Sequence, residues 1–193
     1  MSFSELHRGS SPRILVFAGP NGSGKSTVTK GIPSVGLYVN ADQIQHNKGC
    51  SPLEAAKEAE LIRNTLMDAK ADFTFETVLS TDRNLELLRR AKDAGYQIFA
   101  VFVLTKDPEI NIERVKSRVQ GGGHDVPTDK IVSRYKKSLQ NLKQLIRIAD
   151  YTKIVDNSGD RPSLICEISG TNATVNPSPY WSKSEILDLI FQS

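Results

Sequence analysis

Arg13-Ile14-Leu15-Val16-Phe17-Ala18-Gly19-Pro20-Asn21-Gly22-Ser23-Gly24-Lys25-Ser26 decides the fold. Its first six residues form a short, almost unbroken apolar run, which reads as a strand buried on both faces. The run breaks at Gly19, and helix formers resume at Lys25 and stop near Gly31 and Pro33. Between strand and helix lies a complete G-x-x-x-x-G-K-[ST] pattern, Gly19 to Ser26, in the setting that such a loop requires. The glycines reach backbone angles closed to other residues, so successive N–H groups turn inward and, with the following helix start, nest phosphate oxygens. Lys25 is expected to reach the β- and γ-phosphates, and Ser26 to place its hydroxyl on Mg²⁺ with Thr27 beside it. Gly19, Pro20, Asn21, Gly22, Ser23, Gly24, Lys25, Ser26 and Thr27 are therefore the expected nucleotide-binding set.

Working outward, the chain alternates strands and helices. Leu37 to Asn40 reads as a second strand and Asp42 to Asn47 as a helical turn. Ser51-Pro52-Leu53-Glu54 has the form of a capping box, opening a helix to about Ala71. Phe73 to Leu79 alternates like a strand, with Glu76 opposite the Phe73 and Phe75 face. Thr81 or Asp82 starts a helix that closes at Gly95, and Gln97 to Leu104 is apolar enough to be an interior strand. Asp107-Pro108 opens a helix to about Val119, and Pro127 or Thr128 opens a long one to about Ala149. Tyr151 to Asp156 and Leu164 to Ile168 read as late strands, and Ser182 to Phe191 as a closing helix. The expected fold is a single-domain α/β P-loop kinase: a mostly parallel sheet between helices, with right-handed crossovers and a helical lid over about 108–130. Residues 1–12 read as a loose arm and 13–193 as the domain. Ligands on such sheets gather at the carboxyl ends of the strands.

Composition excludes little and points the same way. The net charge of +3 admits an anionic small ligand without demanding nucleic acid or an acidic membrane. Cys50 and Cys166 lie far apart with no ligand-like spacing, which fits a reducing cytoplasm. The first apolar run is too short for a signal core or a membrane span, so the reading is a soluble, cytoplasmic protein. A GTPase should carry N-K-x-D, and Asn47-Lys48-Gly49-Cys50 lacks the aspartate. No transporter-ATPase signature appears. No apolar strand ends in a metal-holding aspartate, the nearest being Phe73-Thr74-Phe75-Glu76. The outline is that of small P-loop kinases, in which an acidic residue after the second strand receives the acceptor alcohol.

Several side chains carry two readings. Asp42, in Val39-Asn40-Ala41-Asp42, is either the base for a substrate hydroxyl or a helix cap. Glu76 either holds a substrate hydroxyl or Mg²⁺-bound water, or is an ordinary salt-bridged glutamate. Arg114 and Arg118 share one helix face just before Gly121-Gly122-Gly123-His124, and either stabilise charge on a transferring phosphoryl group or are merely solvated. His124 touches substrate phosphate or caps its loop. Lys130, Arg134, Lys136, Lys137, Lys143 and Arg147 load the long helix with charge, most of it fitting a solvated face, with Arg134 kept for anion binding. A nucleotide-dependent RNA-binding module is the non-enzyme alternative, weakened by the lack of aromatics other than Tyr135 on that helix.

The ordered set resembles the zeta toxin family of P-loop kinases. It comprises Gly19 to Thr27, Val39-Asn40-Ala41-Asp42, Phe75-Glu76-Thr77-Val78-Leu79-Ser80, Glu113-Arg114-Val115 with Arg118, Gly122-Gly123-His124-Asp125-Val126-Pro127, Arg134-Tyr135 with Ser138-Leu139 and Asn141-Leu142, and Asp156-Asn157-Ser158. The resemblance spans about residues 13–158 and lies with the compact branch of the family. It implies transfer of the ATP γ-phosphate to a sugar hydroxyl, best known as the 3′-hydroxyl of the amino sugar in UDP-N-acetylglucosamine. Another nucleotide or small alcohol is the alternative acceptor. The family's base falls on Asp42 and its substrate-binding glutamate on Glu76, with Thr77, His124 and Arg134 in the expected substrate-binding set. The first lid arginine falls on Arg114, and the second on Arg118 or, in direct alignment, His124. Such toxins are neutralised by a small helical antitoxin that blocks the ATP site.

Overall fold

A computed structural model describes residues 11–123 and 125–191; residues 1–10, most of the expected arm, and His124 lie outside the described residues. The elements run β1 (Arg13–Ala18), α1 (Lys25–Thr29), β2 (Leu37–Val39), α2 (Ala41–Lys48), α3 (Pro52–Asp68), β3 (Phe73–Thr77) and α4 (Arg83–Asp93). They continue through β4 (Gln97–Leu104), α5 (Pro108–Gln120), α6 (Thr128–Ile148), β5 (Tyr151–Asp156), β6 (Ser163–Ser169), β7 (Asn172–Val175) and α7 (Lys183–Phe191). The seven strands form one sheet in the order β2-β3-β1-β4-β5-β6-β7. The first five are mutually parallel, and β6 and β7 join antiparallel. Central strands without a solvent face must be apolar, and β1 and β4 are so after their first residues, Arg13 and Gln97.

Strand alternation divides the core into two layers. Ile14, Val16, Phe75, Ile98, Ala100 and Phe102 face Ala59 of α3, Leu85 and Leu88 of α4, Leu142 and Leu145 of α6, and Ile186 and Ile190 of α7. Leu15, Phe17, Val101 and Val103 face the other way, with Val28 of α1. Removing one such side chain from water contributes about 1.5–3 kcal/mol, and the parallel run of the first five strands brings their carboxyl ends to one edge.

Local signals set the helix starts. Ser51 and Glu54 form the reciprocal capping box at α3, with Pro52 in its first turn. Asp107 caps α5 by accepting the Glu109 amide at 3.1 Å. Asp82 occupies the cap position of α4 but makes no side-chain cap bond, so neither Thr81 nor Asp82 caps as expected. The strand expected to reach Leu79 stops at Thr77. The Thr77 hydroxyl accepts the Leu79 amide at 2.9 Å, and Leu79 turns to a φ of 56°, which ends the ladder. The stretch after β5 adds a strand that the sequence reading lacks, β7, paired to β6 with Ser169 opposite Asn172. Trp181, Ile186 and Ile190 complete the core, while Phe191 stays exposed. Among the described residues, no helix is long and apolar enough to cross a membrane.

The register places the functional stretches side by side. Ala18, the last residue before the glycine loop, is opposite Thr77 on one side and Phe102 on the other. Val39, the last residue of β2, is opposite Phe75, so Asn40 emerges level with Glu76, which is still paired with Phe17 of β1. Leu104 is opposite Asp156, bringing the starts of α5 and of the segment after β5 to the same edge.

Candidate functional site

At that carboxyl edge lies a cavity of about 630 Å³. Asn21, Gly22, Gly24, Lys25, Ser26 and Thr27 line it from the loop, Asn40, Ala41 and Asp42 from the start of α2, and Glu76, Thr77 and Val78 from the end of β3. Arg114, Val115 and Arg118 line it from α5. The structure thus brings together Lys25, Ser26, Asp42, Glu76, Arg114 and Arg118. Gly19, Pro20 and Ser23 are buried behind the loop. At Gly19 a Cβ would stand 2.0 Å from the Val103 carbonyl oxygen, so glycine lets the chain pass close to β4.

Lys25 is the electrostatic centre. Its ammonium donates to the carbonyls of Gly19 at 2.7 Å and Pro20 at 3.0 Å. Burial lowers its pKa to about 8, against an upward pull from Glu76 and Asp42 and a further downward push from Arg118. Two carboxylates and a guanidinium thus all act on one ammonium group.

Asn40, and not Asp42, caps α2. The Asn40 side-chain oxygen accepts the amides of Asp42 at 2.8 Å and Gln43 at 3.4 Å, capping α2. The cap is made two residues before Asp42, and the Asp42 side chain remains exposed on the cavity wall. Glu76 also has a partner that sequence reasoning missed. The Tyr38 hydroxyl donates to its Oε1, and Asn40 Nδ2 lies 3.4 Å from the same hydroxyl. Burial and this bond to Glu76 push the Tyr38 phenol up to about 12, so it stays a donor. Tyr38 is opposite Thr74 and so shares a sheet face with Glu76, two residues further along β3, a register that the sequence alone does not show.

Thr77 is committed internally. Its hydroxyl accepts both Leu79 N and Asn84 Nδ2, the latter at 2.8 Å, so it holds the turn after β3 as well as lining the cavity. Arg114 donates to the backbone oxygens of Asn157 at 2.7 Å and Gly159 at 3.4 Å, which fixes its head beside the loop. Arg118 is tied to the glycine run: Gly123 N donates to its carbonyl at 2.9 Å, and a Cβ at Gly123 would lie 2.6 Å from its Cγ. The three glycine amides thus close the end of α5 by donating back to its own carbonyls, with the tight contact confined to Gly123. Arg134 lies outside the cavity lining and reaches the Asn21 side chain at 3.4 Å.

The residues fit a bound nucleoside triphosphate on structural grounds. Among the described residues, no backbone acceptor takes the amides of Gly22 or Gly24. A Cβ on either glycine would fill the cradle wall, lying 2.5 Å from the Asn111 oxygen or 2.0 Å from Asn157 Nδ2. No cluster of three or more His, Cys, Asp or Glu able to hold a metal is found among the described residues. The Ser26 hydroxyl, on the cavity lining, is the group that would hold a magnesium ion brought in with the phosphates.

Comparison with known proteins agrees with this arrangement. The zeta toxin family model matches residues 40–163, more than half of the chain. An uncharacterised protein of Haemophilus influenzae is 26% identical over 129 residues, covering 64% of this chain and 92% of that protein. A chain in the structure of the PezAT chromosomal toxin-antitoxin system of Streptococcus pneumoniae superposes with a TM-score of 0.61 at 19% identity, covering 96% of this chain and 80% of that one. A chain of the AvrRxo1-ORF1:-ORF2 complex with ATP superposes with a TM-score of 0.68 at 15% identity, over 94% of this chain and 64% of that one. These two likenesses concern the fold. The family match covers Asn40, Asp42, Glu76, Arg114 and Asn157, all at the carboxyl edge of the sheet, and on it the chain belongs to the zeta toxin family of P-loop phosphotransferases.

Proposed function

We propose that the protein transfers the γ-phosphate of ATP to a hydroxyl group of a sugar nucleotide, with Asp42 as the base. The observation that carries this reading is the division of labour between Asn40 and Asp42. Because Asn40 caps α2, the Asp42 carboxylate is left uncommitted on the wall of the cavity that also holds Lys25. In the reaction Asp42 accepts the proton of the acceptor hydroxyl. The new bond joins that oxygen to the terminal phosphorus, the bond from phosphorus to the bridging oxygen breaks, and ADP leaves. Lys25, Arg114 and Arg118 meet the charge on the transferring group from the loop and the lid helix. Glu76, with one oxygen held by Tyr38, offers its other oxygen to a neighbouring hydroxyl. Magnesium, carried between the phosphates and Ser26, would neutralise charge on the phosphates.

ATP as donor is supported by the family match and by the ATP-containing AvrRxo1-ORF1:-ORF2 complex that shares the fold. An antitoxin partner is supported by the likeness to a chain of the PezAT toxin-antitoxin system. The test is incubation with ATP, Mg²⁺ and a panel of UDP-sugars, free sugars, nucleosides and small alcohols, with products identified by mass. Phosphorylation of a UDP-sugar that vanishes in Asp42→Asn is expected. Phosphorylation of a nucleoside alone would move the acceptor, and ADP formation untouched by Asp42→Asn would remove Asp42 as base.

A further inference from the structure

The glycine loop is held from outside by two asparagine side chains. Asn111 Nδ2, on α5, donates to the Asn21 carbonyl at 2.7 Å. Asn157 Nδ2, just after β5, donates to the Ser23 carbonyl at 2.8 Å. Both asparagines are buried, Asn111 completely and Asn157 to 6% exposure. The Asn111 amide cannot flip freely, because its oxygen accepts the Thr105 hydroxyl. Thr105 is held in turn, its carbonyl accepting the Tyr135 hydroxyl of α6 at 2.6 Å.

A trans peptide is planar, so the C=O of one residue and the N–H of the next point in opposite directions. The peptides here are trans. When Asn111 draws the Asn21 carbonyl outward, the Gly22 N–H must point the other way. When Asn157 draws the Ser23 carbonyl outward, so must the Gly24 N–H. Gly22 and Gly24 both line the cavity, and each is packed against the asparagine concerned. We propose that Asn111 and Asn157 are positioning residues that aim the Gly22 and Gly24 amides at the phosphates of the donor nucleotide.

Asn157 has a second task in the same arrangement. Its own carbonyl accepts Arg114 Nη1 at 2.7 Å, so one residue sets both a loop amide and a lid guanidinium. The loop alone does not dictate these orientations. A carbonyl with no outside donor is free to turn, and each rotation about its peptide replaces an inward donor with an inward acceptor, which repels a phosphate. The inference rests on the nucleotide-binding reading above and adds how the cradle is kept in its binding form.

The experiment uses inorganic tripolyphosphate, which probes the cradle without base, ribose or acceptor. Calorimetry on the parent protein, Asn111→Leu and Asn157→Leu gives Kd, and steady-state kinetics gives KM for ATP and for the acceptor separately. The expected result is tripolyphosphate binding weakened about 10- to 100-fold in each variant, the scale of a lost buried hydrogen bond. KM for ATP should rise with it, while KM for the acceptor stays put. A purely structural role would instead lower the melting temperature and leave the Kd of the folded protein at the parent value, overturning the proposal. If neither variant folds, amide NMR on the parent decides. Gly22 and Gly24 proton resonances must move downfield on adding tripolyphosphate, and the side-chain amide protons of Asn111 and Asn157 must exchange slowly with solvent. Unmoved glycine amides at saturation, or fast-exchanging asparagine amides, overturn it. Failure of the parent to bind tripolyphosphate or ATP at all would strike the nucleotide reading itself, a separate result from a parent that binds as well as its variants.

Discussion

Asn40 Oδ1 accepts the Asp42 amide at 2.8 Å, so the residue that caps α2 and the residue proposed as base stand two positions apart with separable duties. A side-chain cap of this kind contributes about 1 kcal/mol. Asn40→Ala should therefore lower stability by about 1 kcal/mol in a denaturant titration. Asp42→Asn, which removes a first-turn carboxylate, should lower stability by no more than about 0.3–1 kcal/mol, while phosphoryl transfer falls by about 10²- to 10⁴-fold, the range for losing a positioned base. An Asp42→Asn protein that melts early yet turns over normally would reverse the two roles.

Tyr38 and Glu76 give a second separable pair. The phenol, pushed up to about 12, is a protonated donor at every pH where the enzyme would be assayed. Tyr38→Phe keeps the ring and releases Glu76 Oε1. A hydrogen bond to a charged group is typically worth about 1.5–3 kcal/mol, so KM for the acceptor should rise at least about tenfold. KM for ATP should stay constant, since Tyr38 does not line the phosphate end of the cavity. A matching rise in both constants would count against Glu76 as an acceptor-binding group.

Lys25 predicts the pH dependence of phosphate binding. With its pKa lowered to about 8 in the free protein, it is charged below that pH and progressively neutral above it. An anion favours the charged form, so binding above pH 8 must take up a proton. Affinity for ADP should be nearly flat from pH 6.5 to 7.5. It should then fall by up to about tenfold per pH unit above 8. Calorimetry at pH 8.5 in buffers of different ionisation enthalpy should register proton uptake, and Lys25→Met should abolish it. Proton release on binding at that pH would mean that another group controls the site.

How much of this was legible depended on the range of the physics. Arg13–Ala18 reads as a strand because Ile14 to Ala18 are all apolar and must all be buried, and Ser51 reads as a cap because its partner Glu54 is three residues away. Lys25, Asp42, Glu76, Arg114 and Arg118, which the loop pattern, helix spacing and family resemblance single out, line one cavity. What escaped were bonds across long stretches of chain. Tyr38 meets Glu76 38 residues on, Asn111 meets Asn21 across 90, and Asn157 meets Ser23 across 134. An asparagine bound to a distant carbonyl leaves no periodic trace. The early end of β3 escaped for a similar reason: alternation continues through Leu79, but the Thr77 hydroxyl captures the Leu79 amide and bends the chain away.

Two glycines with nearly the same φ separate conformational need from spatial need. Gly24 has a φ of 85° and Gly122 a φ of 84°. Alanine in that left-handed region costs about 1–2 kcal/mol at either place. At Gly122 nothing lies within 4 Å of an added Cβ, whereas at Gly24 the Cβ would stand 2.0 Å from Asn157 Nδ2. Gly122→Ala should therefore lose about 1–2 kcal/mol of local stability at the end of α5 and still bind ADP close to the parent value. Gly24→Ala must displace the Asn157 side chain, and with it the bond to the Ser23 carbonyl. Its ADP affinity should drop by more than about 100-fold, beyond what backbone strain alone supplies. Equal losses of binding in the two proteins would show that the left-handed conformation, and not the close approach of Asn157, is what position 24 requires.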